Sequence, residues 1–560
     1  MARAFGHEDT QVQERALKLV ERHAHKLVSE DSREELAHAA GQLTPALRVR
    51  AGAVLGAVAA GAGSEMYVEV LPPVPEPVRL APAPRTAAEV AEEVGALLAS
   101  DGDVAVFERA LDGLVRHAYQ DPEALREALA PVIATRWWAS EGHVQWPRAD
   151  DLFGNTRGAL DAREALDLLL ATVHGTVRTA TLHDAVRRGP GGHECPHSPL
   201  ARAFDARLRE VAYRLRTDPM PLLLATPTWS TGLLEPDELV ARLAEYRRLD
   251  ARVSATDFAQ ALLRVRREDR AAAEEAARRA RALGSPEGAR LARWLSADNP
   301  LPATRRRTKG IRVLLEPAEL PEVQDGFPQD FQRLGHPMSV FVDRWHYGHW
   351  NPAVRPHWLA VLPERRELVA ARMLHELADT AVEDQRGTAV LPLLAEAGGA
   401  AGEAVHLCVA YGLGARHQED RLAAVDALLV LAARGQLDAA RLGTDLGELV
   451  GLGAVKAQRL ADSVRTAAAT GADATVWSIL RHALPVPLAA LGTARPEAAA
   501  VAVAARGLGD LLAVAADCAE RSGARGTVPH VAEAAARGGS SRLVAQARRL
   551  RDLLAEEVAA

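Results

Sequence analysis

From Pro363 to Ala560 the chain is an almost unbroken series of short apolar-periodic segments punctuated by Gly, Asp and Pro. Val405, Val409 and Leu413, then Leu422, Val425, Leu428, Leu429 and Leu431, recur at three- and four-residue spacing, so each segment carries an apolar helical face that it cannot bury alone. Neighbouring helices must cover those faces. The series therefore predicts stacked two-helix units with a period of about forty residues.

A chain of 560 residues predicts two or more domains and a large core without disulfides or metals. Aromatic residues make up only 4%, which favours closely approaching helices filled by small residues over sheets of aromatic and β-branched side chains. Only Lys18, Lys26, Lys309 and Lys456 stand among 67 basic residues, and the arginines are spread along the whole chain, a genome-composition signal rather than a phosphate site. A formal charge of -7 disfavours a chain whose bulk wraps nucleic acid. Cys195, Cys408 and Cys518 form an odd set without framework spacing, which fits a reducing compartment. The N-terminus reads as no signal peptide, and the apolar run at 51–62 is too short and Gly-rich to span a bilayer. A cytoplasmic protein without a membrane partner is expected.

Five segments follow along the chain: N-terminal HEAT-like helices at 1–62, a Pro-rich linker at 63–86, a middle helical domain at 87–297, an irregular aromatic and β-containing segment at 298–358, and a C-terminal helical-repeat domain at 359–560. Helices are expected at 9–24, 32–41 and 44–60, with Val12, Leu17 and Val20 partly uncovered for want of a preceding repeat, and so a docking surface. Six prolines from Pro72 to Pro84 predict an extended, semi-rigid spacer between two helical bodies. In the middle domain, Asp121-Pro122-Glu123 and Glu235-Pro236-Asp237 mark helix starts, and 159–184 reads as one helix. The run Pro219–Trp229 is consistent with an extended buried segment. Residues 310–315 and 339–342 are strand candidates.

The segments AVHLCVAYGLGARHQEDRLAAVDALLVLAARGQLDAARLG, ELVGLGAVKAQRL, GLGDLLAVAADCAERSGARG and ARGGSSRLVAQARRL, with LLATPTWSTGLLEPDELVARL nearer the middle, resemble a family of uncharacterised bacterial HEAT-like helical-repeat proteins. Proteins of that family are encoded near SWIM zinc-finger proteins and MoxR-type ATPase systems. The resemblance implies an armadillo-like all-α fold, a role as scaffold or adaptor in a larger assembly, possession of no known catalytic residues, and a chain shortened at its N-terminal side. The expected fold is thus mainly α, a HEAT-like α-solenoid in segments with a small irregular or β insertion.

Four constellations carry chemistry. Leu449-Val450-Gly451-Leu452-Gly453, followed by Lys456 and Arg459, fits a helix-hairpin-helix turn, in which backbone N–H groups approach a DNA phosphate; a plain turn between packed helices needs the same glycines. His193, Cys195 and His197 are weak candidates for soft-metal ligands at irregular spacing, against which a polar surface loop is the simpler reading. His375-Glu376-Leu377-Ala378-Asp379 resembles a zincin helix with Asp379 where the second His belongs, and with Glu383 and Asp384 it reads more simply as a solvated acidic face. Arg344, Trp345, Tyr347, Trp350 and Trp358 form the aromatic cluster best suited to bind a protein partner, unless it fills a junction between helical bodies. Cys408 and Cys518 lie in apolar helical runs and read as inert core thiols. The combined expectation is a non-enzymatic protein-interaction scaffold without cofactor, metal or small-molecule substrate; a nucleic-acid-associated helical protein ranks second and a metal-dependent hydrolase third.

Overall fold

A computed structural model describes residues 2–7, 10–24, 30–43, 45–55, 67–100, 103–139, 149–155, 158–189, 195, 197–298, 303–338, 354–491 and 507–555. Among the described residues the chain is mainly α, 69% of them helical, with a single two-stranded sheet. It divides into two compact units: Met1–Pro72 with Asp438–Ala560, and Pro73–Leu437. This division differs from the segments read along the sequence. The Pro-rich stretch falls on both sides of it, because Tyr67 Oη and the Glu69 carboxylate bond to Gly471 and Thr475, whereas residues from Pro73 on pack with the middle helices.

In the first unit, helices Ala2–Phe5, Thr10–His23, Glu30–Ala39 and Pro45–Leu55 enclose one small core. Leu17 and Val20 are buried there against Phe5, Leu36, Leu43 and Leu47, so the expectation that they stand partly uncovered is corrected: the short leading helix and the two that follow cover them. Val12 is half-buried.

The C-terminal part of that unit stacks Ala439–Gly451 on Asp473–Ala483, Ala457–Ala469 on Leu508–Arg521, and Leu508–Arg521 on Arg542–Ala555. Its crossings are made by missing side chains. A Cβ on Gly447 would lie 2.7 Å from the Ala483 carbonyl and one on Gly509 2.9 Å from Leu543 N, while one on Gly443 would run into the Ile479 carbonyl. The Ala- and Gly-rich composition does here what its low aromatic content predicts.

The second unit is built around charge. Its middle contains the predicted extended segment Pro219–Trp229, buried from Met220 to Thr228 and paired mainly with side chains rather than with a sheet. Leu223 N donates to Asp112 at 2.8 Å, Leu224 N to Asp257 at 2.6 Å, Tyr246 Oη to Leu222 O at 2.6 Å, and Arg264 to Ala225 O at 2.8 Å. These bonds meet the demand of buried backbone groups for partners where no ladder provides them. The same side chains form a buried ion network: Arg207 bridges Glu108 (2.9 Å) and Asp257 (3.0 Å), and Arg264 reaches Glu108 at 2.6 Å. Burial opposes the charge on Glu108, but Arg207 and Arg264 outweigh it and hold its carboxyl down at about 2.

Helix ends in this unit follow their sequence signals with one exception. Asp121 caps Pro122–Ala134 by accepting from Ala124 N, as the Asp-Pro-Glu start predicts. The single helix expected at 159–184 is two, Ala162–His174 and Thr179–Arg188, because Gly175 turns left-handed (φ 90°) and closes the first with bonds to Ala171 O and Thr172 O. The strand candidate at 310–315 pairs as β2 (Arg312–Pro317) with β1 (Thr304–Lys309) in an antiparallel hairpin. Tyr411 Oη grips β2 at Val313, and Arg312 reaches Asp379 and Glu383, fixing the hairpin on helices Glu403–Leu413 and Arg366–Val382. The strand candidate at 339–342 lies outside the described residues.

Candidate functional site

Of the aromatic cluster, Arg344, Trp345, Tyr347 and Trp350 lie outside the described residues. Trp358 is described and buried, on the helix Arg355–Val361, where its ring stacks on His197 with centroids 4.8 Å apart. Beside it, His357 packs against Phe107 and Phe204, and burial pushes its imidazole down to about 4.

His197 joins two constellations that look unrelated in sequence. Its Nε2 lies 3.0 Å from Cys195 Sγ, and its Nδ1 forms an ion pair with Glu376 Oε1. Burial opposes protonation of this ring, yet the Glu376 carboxylate and the Cys195 sulfur prevail and push it up to about 10. His193 lies outside the described residues. Cys195 and His197 do meet, but as a relay and not a chelate: each ring nitrogen faces a different partner on opposite edges. Among the described residues no group of three or more His, Cys, Asp or Glu is placed to hold a metal ion. The loop is also no polar surface loop at these two positions, since both side chains are buried.

Glu376 corrects another expectation. The His375–Asp379 stretch is not a solvated acidic face: His375 and Glu376 are buried within a helix whose residues from Arg366 to Ala378 are all inside, and the acids beyond them, Asp379 and Glu383, hold Arg312. The signal was present in the apolar neighbours Met373, Leu374, Leu377 and Ala378, which leave that helix no wet face.

The turn after Val450 is tight. Gly453 is left-handed (φ 78°), Val455 N donates to Leu449 O at 3.1 Å, and Lys456 Nζ folds back onto Gly453 O at 3.2 Å. The start of Ala457–Ala469, where a phosphate would dock, is approached so closely by Gly507 that a Cβ there would strike Gln458 N. Gly451, Gly453, Lys456 and Arg459 thus surround a turn packed against its own unit, and Ala457 is buried in it.

A cleft of about 580 Å³ opens in the second unit, lined in part by Trp229, Leu233, Arg266, Glu396, Gly398 and Arg434. Trp229 Nε1 and Arg266 both donate to the Glu235 carboxylate, at 2.5 and 2.7 Å, and Arg434 donates to Glu396 O at 2.6 Å. The chain's own proline-rich segment runs into this cleft at Glu76 and Pro77. Just beyond, it pairs antiparallel with Trp229: Leu80 N donates to Thr228 O at 2.8 Å, Ser230 N to Val78 O at 2.9 Å, and the Arg79 guanidinium lies over the indole at 5.9 Å. Sequence reading left this site out because its residues come from stretches far apart and none carries a motif.

Residues 82–295 match a family model described as Domain of unknown function (DUF7824), and residues 331–472 match a second, Domain of unknown function (DUF7825). The first match takes in Glu108, Cys195, Arg207 and Trp229, and the second Glu376 and the Gly451 turn. No curated protein and no solved structure matches the chain.

Proposed function

We propose that this chain is a non-enzymatic, cytoplasmic scaffold or adaptor that binds an extended segment of another protein in the cleft beside Trp229. One observation carries the reading: the chain already lays an extended, proline-containing segment of its own along Trp229, using two backbone hydrogen bonds and an Arg over the indole. That is the chemistry by which extended peptides are held on an exposed edge and an aromatic face. The half-open cleft continues the same track with cations (Arg266, Arg434) and anions (Glu76, Glu268, Glu396) interspersed, which suits a peptide of mixed charge. Stacked helical pairs provide a frame for such surfaces. The resemblance to proteins encoded beside MoxR-type ATPase systems supports a component of such an assembly as the partner. Among the described residues no helix is long and apolar enough to cross a membrane.

The test is affinity purification from the native cell with the full chain and with the variants Arg434→Glu and Trp229→Ala. A defined set of partners recovered with the wild type and depleted about tenfold with either variant, with folding unchanged by circular dichroism, is the expected result. An identical set from all three chains would remove the cleft from the account.

A further inference from the structure

The buried thiol, imidazole and carboxylate of Cys195, His197 and Glu376 have no part in a peptide cleft. Their arrangement is ordered in three ways. His197 Nε2 faces the sulfur at 3.0 Å, and Glu376 on the other ring edge fixes which nitrogen does so. Cys195 sits at the head of the 20-residue helix Ser198–Thr217, tied there by Cys195 N donating to Ser198 Oγ (3.0 Å) and Ser198 Oγ donating to Cys195 O (2.7 Å). Trp358 stacks on the imidazole and holds its plane. An imidazolium partner favours a thiolate. Burial pushes the thiols of Cys408 and Cys518 up instead.

We propose that Cys195 is a nucleophilic cysteine, held as a thiolate against the His197 imidazolium, that hydrogen peroxide oxidises to the sulfenic acid. Cys195 as a residue is 5% exposed, against 0% for Cys408 and Cys518, which closes it to a folded substrate and confines the proposal to a reagent of about the size of water. In the step, the thiolate attacks one peroxide oxygen; the S–O bond forms as the O–O bond breaks. The departing hydroxide takes the Nε2 proton of His197 and leaves as water. Sulfur is oxidised, peroxide is reduced, and the ring ends neutral. Glu376 is a positioning residue that acts through the imidazole. Among the described residues, the ionisable groups that act on Glu376 include His375, beside it on its helix and pushed down to about 4 by burial, Arg355 from the Arg355–Val361 helix, which also feels Asp420, and Cys408 from the Glu403–Leu413 helix. With His375 neutral, His197 and Arg355 are two cations that act on Glu376.

The test uses the reduced full chain treated with hydrogen peroxide, then denatured, alkylated and read cysteine by cysteine by mass spectrometry. Cys195 should lose its alkylatable thiol at least about tenfold faster than Cys408 and Cys518 in the same molecule, at a rate nearly flat from about pH 6 to 8, as the proposed thiolate–imidazolium pair requires. Glu376→Gln should slow it several-fold and make the rate climb with pH. Where that variant does not fold, the wild-type profile decides alone. Reaction of Cys195 no faster than Cys408, or a rate rising about tenfold per pH unit up to pH 8 as for an ordinary thiol, would overturn the proposal.

Discussion

Between Pro73 and Leu437 the helices close around buried charge, whereas between Asp438 and Ala555 they close on glycine and alanine. In the first region Glu108, Arg207, Asp257 and Arg264 are all at most 1% exposed and bonded to one another and to the extended run through the core. In the second, Gly443 and Gly447 let one helix ride against the carbonyls of Asp473–Ala483. The difference lies in how each region fails. A buried ion network is costly to break because removal of one member strands the others, while a small-residue crossing is sensitive to added volume and to any charge placed in it.

The largest expected effect is therefore in the charged core. Glu108→Ala leaves Arg207 with one carboxylate and Arg264 with none, and should destabilise the Pro73–Leu437 unit by about 3–5 kcal/mol in guanidinium unfolding followed by tryptophan fluorescence. A loss under about 1 kcal/mol would mean that the network is no more than a set of tolerated charges. Next comes Ala457→Glu, which buries an unpaired carboxylate where Ala457 is 3% exposed and should cost roughly 3 kcal/mol in the other region. An unchanged melting temperature would break the contrast from that side.

Acid should separate the two regions by a smaller margin. His357 and His375, both in the charged region, are pushed down to about 4 by burial, below the 6.5 of a free imidazole. A depressed group contributes stability that is present above 6.5 and is lost as pH falls through 4. Carboxyls raised by burial, Asp205, Asp257, Glu364 and Glu367 among them, hold protons more readily in the folded state and offset part of the loss. The net result should be a fall in stability between pH 6.5 and 4.5, read by denaturant midpoints at each pH. A charged region that gains stability over this range would contradict the assignment of neutral, buried histidines. His197 runs the other way, its contribution present below 6.5 and lost as pH rises through about 10. The smallest effect is Asp438→Ala. It removes the acceptor for Arg441 N at the head of Ala439–Gly451 and should cost about 1 kcal/mol by the same unfolding assay.

The same contrast explains what could be read in advance. Local signals survived folding: the Asp121 cap, the Gly453 turn, the helices of 405–431 and the strand at 310–315 are each decided within a few residues. Gly175 was equally local and still passed over, since a glycine inside an apolar-periodic run marks a helix end only when its backbone turns left-handed. The charged core was not legible, because Glu108 pairs with partners 99 and 156 residues away, and each charge taken alone reads as surface. For the same reason the sequence shows residues 193–197 and the His375–Asp379 stretch as two separate signals, though His197 and Glu376 form one pair. The cleft was invisible for want of any local pattern.

On the function proposed above, the cleft beside Trp229 holds an extended partner segment, while the buried ionisable groups belong to the fold or to a single thiol. The most direct measurement places a photo-crosslinking residue at Leu233 in the cleft and, as a control, at Leu422, an exposed apolar position of the same unit outside it. In the native cell the account predicts one or a few proteins joined specifically at Leu233, each through an extended segment identified by mass spectrometry, and lost with Arg434→Glu. The same products from both positions, or none from Leu233, would contradict it.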